Sequence, residues 1–273
     1  MNQPMPKVRH RRRGRLGWIK RLIPGPLIGP LRWLKARLTP HGRMRIWLER
    51  NRSGLLLQPS SETRRNRHPE LFALARERLA GIPAPRLLSY GCSTGEEAFT
   101  LAEYLPRALI DAIDINPRSI AIAKRSLGDA KSPSLRFACA SSPPGNASVY
   151  DAIFCLSVLR HGRPESEQMK NCSEVLPFAR FAEAIDALDH ALKPGGLLFL
   201  WGCNFRFADT PTAMAYRRIA TPQKRPEFGM FYGPDNDLLA IASNADFVFE
   251  KRAAAPASLP ASVSRGNSPE PGQ

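Results

Sequence analysis

The sequence predicts an α/β fold: a Rossmann-like three-layer sandwich around a mostly parallel sheet, preceded by a basic N-terminal arm. Residues 86–104 combine an apolar strand, a turn of small residues and an amphipathic helix, the first unit of a nucleotide-binding sheet. Short apolar runs then alternate with helical patterns up to residue 250. Positive charge is concentrated before this region, so the predicted sheet lies in the neutral part of the chain.

The formal net charge of +16 over 273 residues belongs to the first quarter of the chain. Residues 1–67 hold 18 Lys and Arg against two acids, whereas residues 68–273 hold 22 of each sign. We therefore predict a basic, partly disordered arm over residues 1–58, a folded domain over residues 59–252 and a disordered tail rich in Ala, Ser and Pro over residues 253–273.

The arm contains two short cationic segments, residues 17–23 and 31–38, in which Trp, Leu and Arg are interleaved. Residues 1–52 carry fifteen Lys and Arg against one acid. This pattern is typical of attachment to an anionic membrane surface, but it also fits nucleic acid, a transit peptide or a solvated arm without a partner. We expect the deletion of residues 1–52 to leave the ligand affinity of the domain unchanged.

The five cysteines indicate a reducing compartment and no metal site, because their number is odd and no two form a C-x-x-C pair. No apolar run approaches the roughly 18 residues that a membrane span requires. Arg and Pro interrupt every candidate secretory segment near the start. We therefore expect a cytoplasmic protein, either free or attached at a membrane surface.

Apolar residues at helical spacing predict a helix from Leu71 to Leu79, which the Gly- and Pro-containing segment 81–85 ends. The apolar run 86–90 predicts a strand, and acidic residues followed by apolar ones predict a helix over 96–104. The same patterns predict, in chain order, a strand at 109–114, a helix at 117–127, strands at 135–139 and 150–156, a helix at 175–192 capped by 193–196, a strand at 197–201, a short helix at 236–245 and a strand at 247–250.

The turn at residues 91–95 (GCSTG) and the acid that follows it predict a nucleoside site. Glycine is required where the backbone turns sharply close to a ligand. Asp114 lies 19 residues after Gly95, at the end of the next predicted strand, where its carboxylate can accept hydrogen bonds from both ribose hydroxyls. The alternative is an ordinary turn followed by a solvated aspartate.

Two acidic residues after the turn favour S-adenosylmethionine over NAD. Glu96 and Glu97 open the predicted helix, and the turn lacks the G-x-G-x-x-G pattern. Carboxylates at a helix N-terminus repel a pyrophosphate, which needs that positive end of the dipole. They tolerate the ammonium and sulfonium of S-adenosylmethionine.

The turn also has the G-x-S-x-G spacing of a hydrolase nucleophile elbow, with Ser93 as the nucleophile. That chemistry needs an acid and then a histidine later in the chain. The last histidine is His190, inside a predicted helix. We keep a serine hydrolase as a remote alternative.

The string at 91–97 (GCSTGEE) resembles the cofactor-binding turn G-x-S-T-G-E-E of the chemotaxis-receptor (CheR-type) glutamate methyltransferases. The resemblance covers roughly residues 61–202, and it implies a class I methyltransferase with a seven-stranded sheet and S-adenosylmethionine as cofactor. The further matching parts are the second strand end at 113–116, the fourth strand at 153–159, the LKPGG segment at 192–196, and the T-x-x-x-R spacing of Thr63 and Arg67.

Carried over by position, the resemblance implies that Glu97 holds the amino group of the cofactor and Asp114 its ribose. Thr63 and Arg67 meet its carboxylate, and residues 140–141 and 157–158 border the adenine and the methyl-transfer face. The predicted cofactor-binding set is Thr63, Arg67, Gly91, Cys92, Ser93, Gly95, Glu97, Asp114, Ile115, Ala140, Ser141, Ser157 and Val158.

The departures from the family concern the acceptor. Leu156 and Ser157 replace its Arg-Asn pair, and the basic arm stands in place of its N-terminal helical domain. His161 is the candidate general base, and residues 204–207 and 230–232 are the candidate acceptor pocket. We predict methyl transfer to a protein carboxylate or to a small-molecule oxygen or nitrogen; the alternative is an inactive binding module of the same fold.

Overall fold

The computed structural model describes residues 37–52, 54–128, 134–145, 147–221, 227–241 and 243–253. The cationic segment 17–23, most of the segment 31–38 and the predicted tail after Ala253 lie outside these residues. None of the helices in these ranges combines the length and the hydropathy of a membrane span.

A seven-stranded sheet forms the centre of the domain, in the order β3-β2-β1-β4-β5-β9-β6. The five strands from β3 to β5 are parallel, while β9 runs antiparallel to β5 and β6 antiparallel to β9. The predicted Rossmann-like, mostly parallel sheet is confirmed. The strands are β1 Arg86–Tyr90, β2 Leu109–Asp114, β3 Leu135–Cys139, β4 Tyr150–Leu156, β5 Leu192–Trp201, β6 Tyr216–Arg218 and β9 Val248–Lys251, and a separate hairpin pairs β7 Glu227–Phe228 with β8 Ser243–Asn244.

Helices cover both faces of the sheet, which gives the predicted three layers. One apolar cluster lies under α2, α3 and α4, and a second lies under α6. All seven residues of β4 are buried, as expected for a central parallel strand. The helices are α1 Pro40–Asn51, α2 Pro69–Arg78, α3 Glu96–Tyr104, α4 Pro117–Leu127, α5 Arg163–Ser166 and α6 Phe178–Ala191.

Helix α6 is shorter than predicted. It begins after the extended residue Pro177 rather than at Val175, and it ends at Ala191. The segment 192–196 does not cap the helix but forms the start of β5, where Leu192 pairs with Tyr150. Apolar spacing alone could not locate this boundary, because the buried residues Leu188, Ala191 and Leu192 continue the apolar pattern from the helix into the strand.

The helix predicted at 236–245 is wrong. Asn236 lies at φ 69°, and its side chain accepts a hydrogen bond from the backbone N–H of Phe178 at 2.6 Å. Asp235 accepts one from the N–H of Asp237 at 3.1 Å. These short polar side chains accept hydrogen bonds from backbone N–H groups, which stabilises turns in place of the backbone hydrogen bonds of a helix.

A helix that the sequence analysis does not assign, α1, lies inside the predicted arm. The hydroxyl of Thr39 caps it by accepting from the N–H of Gly42 at 3.1 Å, and Pro40 occupies its first turn. Leu48 and Leu56 are buried. The last part of the arm therefore packs against the domain.

Candidate functional site

A cavity opens at the carboxyl ends of β1, β2 and β4, where the sheet changes its direction of winding. Open α/β sheets bind ligands at this switch point, because the loops diverge on either side of it. Twelve of the thirteen residues predicted to bind the cofactor line this one cavity: Thr63, Arg67, Gly91, Cys92, Ser93, Glu97, Asp114, Ile115, Ala140, Ser141, Ser157 and Val158.

The turn after β1 lies too close to the end of β4 for any side chain at its first position. Gly91 has φ 72°, and a Cβ built on it would stand 2.4 Å from a methyl carbon of Val158. The N–H groups of Gly91 and Cys92 both donate to the carbonyl of Ile113, at 2.8 and 2.9 Å. The turn is thus fixed between β2 and β4 and presents its backbone to the cavity.

Gly95 does not line the cavity. It precedes α3 with φ 96°, and a Cβ there would lie about 3 Å from the rings of Phe99 and Phe137. Its contribution is to turn the chain into α3, which brings Glu97 to the cavity.

Asp114 is held at the end of β2 by two backbone donors. Its Oδ2 accepts from the N–H of Ser93 at 2.8 Å, and its Oδ1 accepts from that of Asn116 at 2.7 Å. Burial raises the pKa of this carboxyl, and the two hydrogen bonds act in the opposite direction. Each oxygen keeps a lone pair, so the carboxylate can still accept bonds from a ligand.

Glu97 and Arg67 bring opposite charges to the same cavity. Glu97 accepts a hydrogen bond from the hydroxyl of Ser89 at 2.7 Å. Burial raises the pKa of Glu97 to about 7, while Ser89 and the Arg67 guanidinium lower it. A carboxylate and a guanidinium lining one cavity match the ammonium and carboxylate of an α-amino acid.

Arg67 reaches the cavity from a turn anchored on α3. Asn66, at φ 49°, donates its N–H to the hydroxyl of Thr100 at 3.0 Å. The Arg67 Nη2 donates to the Ser157 hydroxyl at 2.5 Å, and its Nε donates to Nε2 of His68 at 3.2 Å. The T-x-x-x-R spacing thus places Thr63 and Arg67 in the cavity.

Residues 55–62 and Leu48 supply an outer wall of the cavity that was not predicted from the sequence. The Ser61 carbonyl accepts from the Ser93 hydroxyl at 2.9 Å, and the Gln58 amide donates to the Ser157 carbonyl at 3.4 Å. Three consecutive leucines at 55–57 were a usable signal, since a solvated arm has no need of them. Leu48 belongs to the predicted arm, so deleting residues 1–52 would remove part of the cavity wall, which argues against the expected independence of the arm and the site.

His161 is not among the cavity-lining residues. Its backbone N–H donates to Asn204 at 2.6 Å, and its ring Nδ1 accepts from the N–H of Arg163 at 3.1 Å. Burial, followed by the charges of Arg163 and Arg45, lowers its pKa. This position does not support the predicted role as general base.

The predicted acceptor pocket at 204–207 and 230–232 is wrong in its aromatic part. Phe205, Phe231 and Tyr232 are fully buried. The Phe205 ring packs against those of Phe178 and Phe181, both with centroids 5.3 Å away. The rings of Phe205 and Tyr232 belong to the apolar cluster under α6 and are therefore core residues.

The hydrolase alternative finds no support in the geometry. The Ser93 hydroxyl donates to a backbone carbonyl rather than to a base. His190 is exposed, and its carbonyl accepts from the N–H of Ser148, just before β4 begins. It therefore lies at the opposite end of the sheet from Ser93. Among the residues that the structure describes, no three His, Cys, Asp or Glu side chains are grouped to hold a metal ion.

The raised pKa of Glu97 predicts a stability profile. A folded-state pKa of about 7, against an ordinary 4.5, means that the folded protein binds more protons between these values. We expect the free energy of unfolding to fall as the pH rises through this interval. Glu97→Gln should flatten that slope in urea titrations at several pH values. Glu103→Gln, which removes an exposed carboxylate paired with Arg65, should leave it unchanged.

Several solved structures are similar to this chain. The (4+2)-cyclase SpnF is 27% identical over 48% of this chain and 43% of its own, with a TM-score of 0.36. CalS10, an amino pentose methyltransferase from Micromonospora echinaspora, is 26% identical over 49% of each chain, with a TM-score of 0.35. The YcgJ protein from Bacillus subtilis is 12% identical over 69% of this chain and 100% of its own, with a TM-score of 0.44.

These TM-scores lie below 0.5, so the likenesses carry no argument about activity. The chain spans less than half of the length of SpnF and of CalS10. No curated protein matches the chain significantly. Residues 88–198, which contain the turn, Glu97, Asp114 and Ser157, match the family model described as a methyltransferase domain, and this match supports S-adenosylmethionine as the cofactor.

Proposed function

We propose that the protein transfers a methyl group from S-adenosylmethionine to a protein carboxylate or to a small-molecule oxygen or nitrogen. The observation that carries the proposal is the convergence of Arg67, Glu97 and Asp114 on one cavity at the switch point of the sheet. These charges complement the carboxylate, the ammonium and the ribose of this cofactor. The methyltransferase-domain match over residues 88–198 supports the same chemistry.

In this proposal each end of the cofactor has its own partners. Glu97 accepts from the ammonium, and Arg67 with Thr63 donates to the carboxylate. Asp114, fixed by two backbone donors, accepts from the ribose hydroxyls. The remaining borders, next to the adenine and the methyl group, are formed by Ile115, Ala140, Ser141, Ser157 and Val158.

When bound, the cofactor supplies an electrophilic methyl group; the protein aligns the nucleophile with it and excludes water. The wall made by residues 55–62 serves the second task, since it covers the cavity from the N-terminal side. A carboxylate acceptor needs no general base, and a neutral amine acts through its lone pair. Because His161 lies outside the cavity lining, we assign no base.

The resemblance to the CheR-type enzymes stays a prediction and concerns the cofactor only. Residues 204–207 and 230–232, which we expected to select the acceptor, include buried core rings. A receptor glutamate is therefore one candidate among several carboxylates. The alternative, a binding module without activity, is favoured by Leu156 and Ser157 in place of two polar side chains.

Cofactor binding tests the site directly. Isothermal titration of the full-length protein with S-adenosylhomocysteine should show a single site. Asp114→Ala should weaken it about 10- to 100-fold, because each hydrogen bond to a charged group contributes about 1.5–3 kcal/mol. Asp186→Ala, on the exposed side of α6, is the control and should bind like the wild type. Tight NADH binding without any response to S-adenosylhomocysteine would contradict the proposal.

A methyl-transfer screen separates the enzyme from the binding module. The full-length protein, incubated with radiolabelled S-adenosylmethionine and cell fractions, should label a protein or a small molecule. Asp114→Ala should reduce the label in proportion to its loss of affinity. Cofactor binding with no label in protein, lipid or small-molecule fractions would favour the inactive module.

We further propose that residues 1–52 attach the protein to an anionic surface, and that a membrane suits them better than nucleic acid. Arg43, Trp47 and Arg50 follow one another at i, i+4 and i+7, so they share one exposed face of α1. Leu38 and Leu55 are also more than half exposed. Exposed indole and leucine side chains gain free energy when they are buried in the apolar part of a membrane interface, and a phosphate backbone offers no such environment.

Vesicle binding tests this surface. The protein should sediment with anionic vesicles at low salt and be released at high salt, because each base contributes about 1 kcal/mol that salt screens. Combining Arg43→Glu with Arg50→Glu should weaken binding, whereas Arg78→Glu with Arg125→Glu, exposed elsewhere on the domain, should not. Displacement of the protein from vesicles by duplex DNA would favour nucleic acid as the partner. Binding to neither vesicles nor DNA would indicate a solvated arm without a partner.

A further inference from the structure

His68 occupies a helix-capping position without capping the helix. It precedes Pro69 at the start of α2, and its side chain makes no hydrogen bond to the first turn. Ser, Thr, Asp or Asn at this position normally satisfies one of the free N–H groups. The side chain of His68 is instead buried, 7% exposed, and it lines the cofactor cavity.

The ring of His68 is held in place from the end of β5. It packs against the indole of Trp201, with centroids 5.0 Å apart and planes inclined by 50°. Trp201 in turn contacts Phe247, with centroids 4.3 Å apart. The ring is therefore packed against the end of the sheet, although its backbone belongs to the start of α2.

The backbone before His68 is anchored as well. The hydroxyl of Tyr104 donates to the side chain of Asn66 at 3.2 Å, in addition to the Asn66–Thr100 bond. Arg65 forms an ion pair with Glu103 at 2.8 Å. Three contacts with α3 thus fix the turn from which Arg67 and His68 extend.

The hydrogen bond between the side chains of Arg67 and His68 has a defined donor and acceptor. Nε of Arg67 can only donate, so Nε2 of His68 must accept at 3.2 Å, and the proton of a neutral ring must then reside on Nδ1. Burial, with the charges of Arg67 and Arg64, lowers the pKa of His68 to about 4. The ring is therefore neutral near pH 7 and has its accepting nitrogen engaged.

We propose that His68 is a positioning residue for Arg67, an inference that rests on the proposed function. His68 accepts from Nε, and both the Ser157 hydroxyl and the Leu156 carbonyl (3.5 Å) accept from Nη2, so three hydrogen bonds hold the guanidinium. Nη1 makes none of these bonds, so its N–H groups can donate to a carboxylate. His68 thus acts on the amino-acid end of the cofactor and not on the acceptor.

Two ligands separate this role from a general effect on folding. S-adenosylhomocysteine has the carboxylate, whereas 5′-methylthioadenosine keeps the nucleoside and the thioether but lacks the amino-acid end. His68→Phe retains the ring packing on Trp201 and removes the acceptor. In titrations of the full-length protein we expect it to weaken S-adenosylhomocysteine about 3- to 10-fold and to leave 5′-methylthioadenosine unchanged.

Three further variants complete the test. His68→Gln, whose carbonyl can accept from Nε, should recover part of the affinity. In an Arg67→Met background, His68→Phe should cause no additional loss, because the residue to be positioned is absent. His190→Phe, at an exposed histidine of α6, is the matched control and should bind both ligands normally.

Each other outcome overturns the inference in a recognisable way. Equal losses for both ligands would assign His68 a purely structural role. An unchanged affinity for S-adenosylhomocysteine would show that Arg67 needs no support. A wild-type protein that binds neither ligand would refute the proposed function, and the positioning role with it, before any variant is compared.

Discussion

The close approach of the β1 turn to the end of β4 is the constraint on which the site depends. Gly91 has no room for a Cβ beside Val158, and its N–H is bound to the carbonyl of Ile113. The following N–H of Ser93 then meets the carboxylate of Asp114. One tight turn thereby fixes the backbone of three strand ends and orients the acid proposed to bind the ribose.

The charges in the cavity follow from elements that this turn positions. Gly95 directs the chain into α3, whose first turn carries Glu97 and whose later residues hold the segment before α2. Arg67 and Glu97 therefore both depend on α3, although thirty residues separate them in sequence. Their separation inside the cavity is set by one short helix, which suits the recognition of a small zwitterion.

Local pattern was sufficient for the elements between residues 86 and 156, since each buried strand or amphipathic helix there has an apolar spacing that admits one conformation. The local sequence pattern led to a wrong helix at 236–245. There the side-chain oxygen of Asn236 accepts a hydrogen bond from the N–H of Phe178 at the start of α6, and no local signal encodes such a long-range bond. The pattern also failed for Phe205 and Tyr232, because an aromatic run looks alike in a pocket and in a core. His68 was missed because its partner is the adjacent arginine, and only the turn at Asn66 brings both into the cavity.

Helix α1 joins two proposed activities in one element. Leu48 on its inner side lines the cofactor cavity, and Arg43, Trp47 and Arg50 are exposed on its outer face. Arg52 connects the two: its guanidinium lies 5.6 Å from the centre of the Trp47 ring and donates to the carbonyl of Ile115 at 3.2 Å. A partner that moved this helix would change the affinity for the cofactor, and by linkage the cofactor would change the affinity for that partner by the same factor. The two proposals together therefore predict that the basic arm is coupled through α1 to the site that it precedes in sequence.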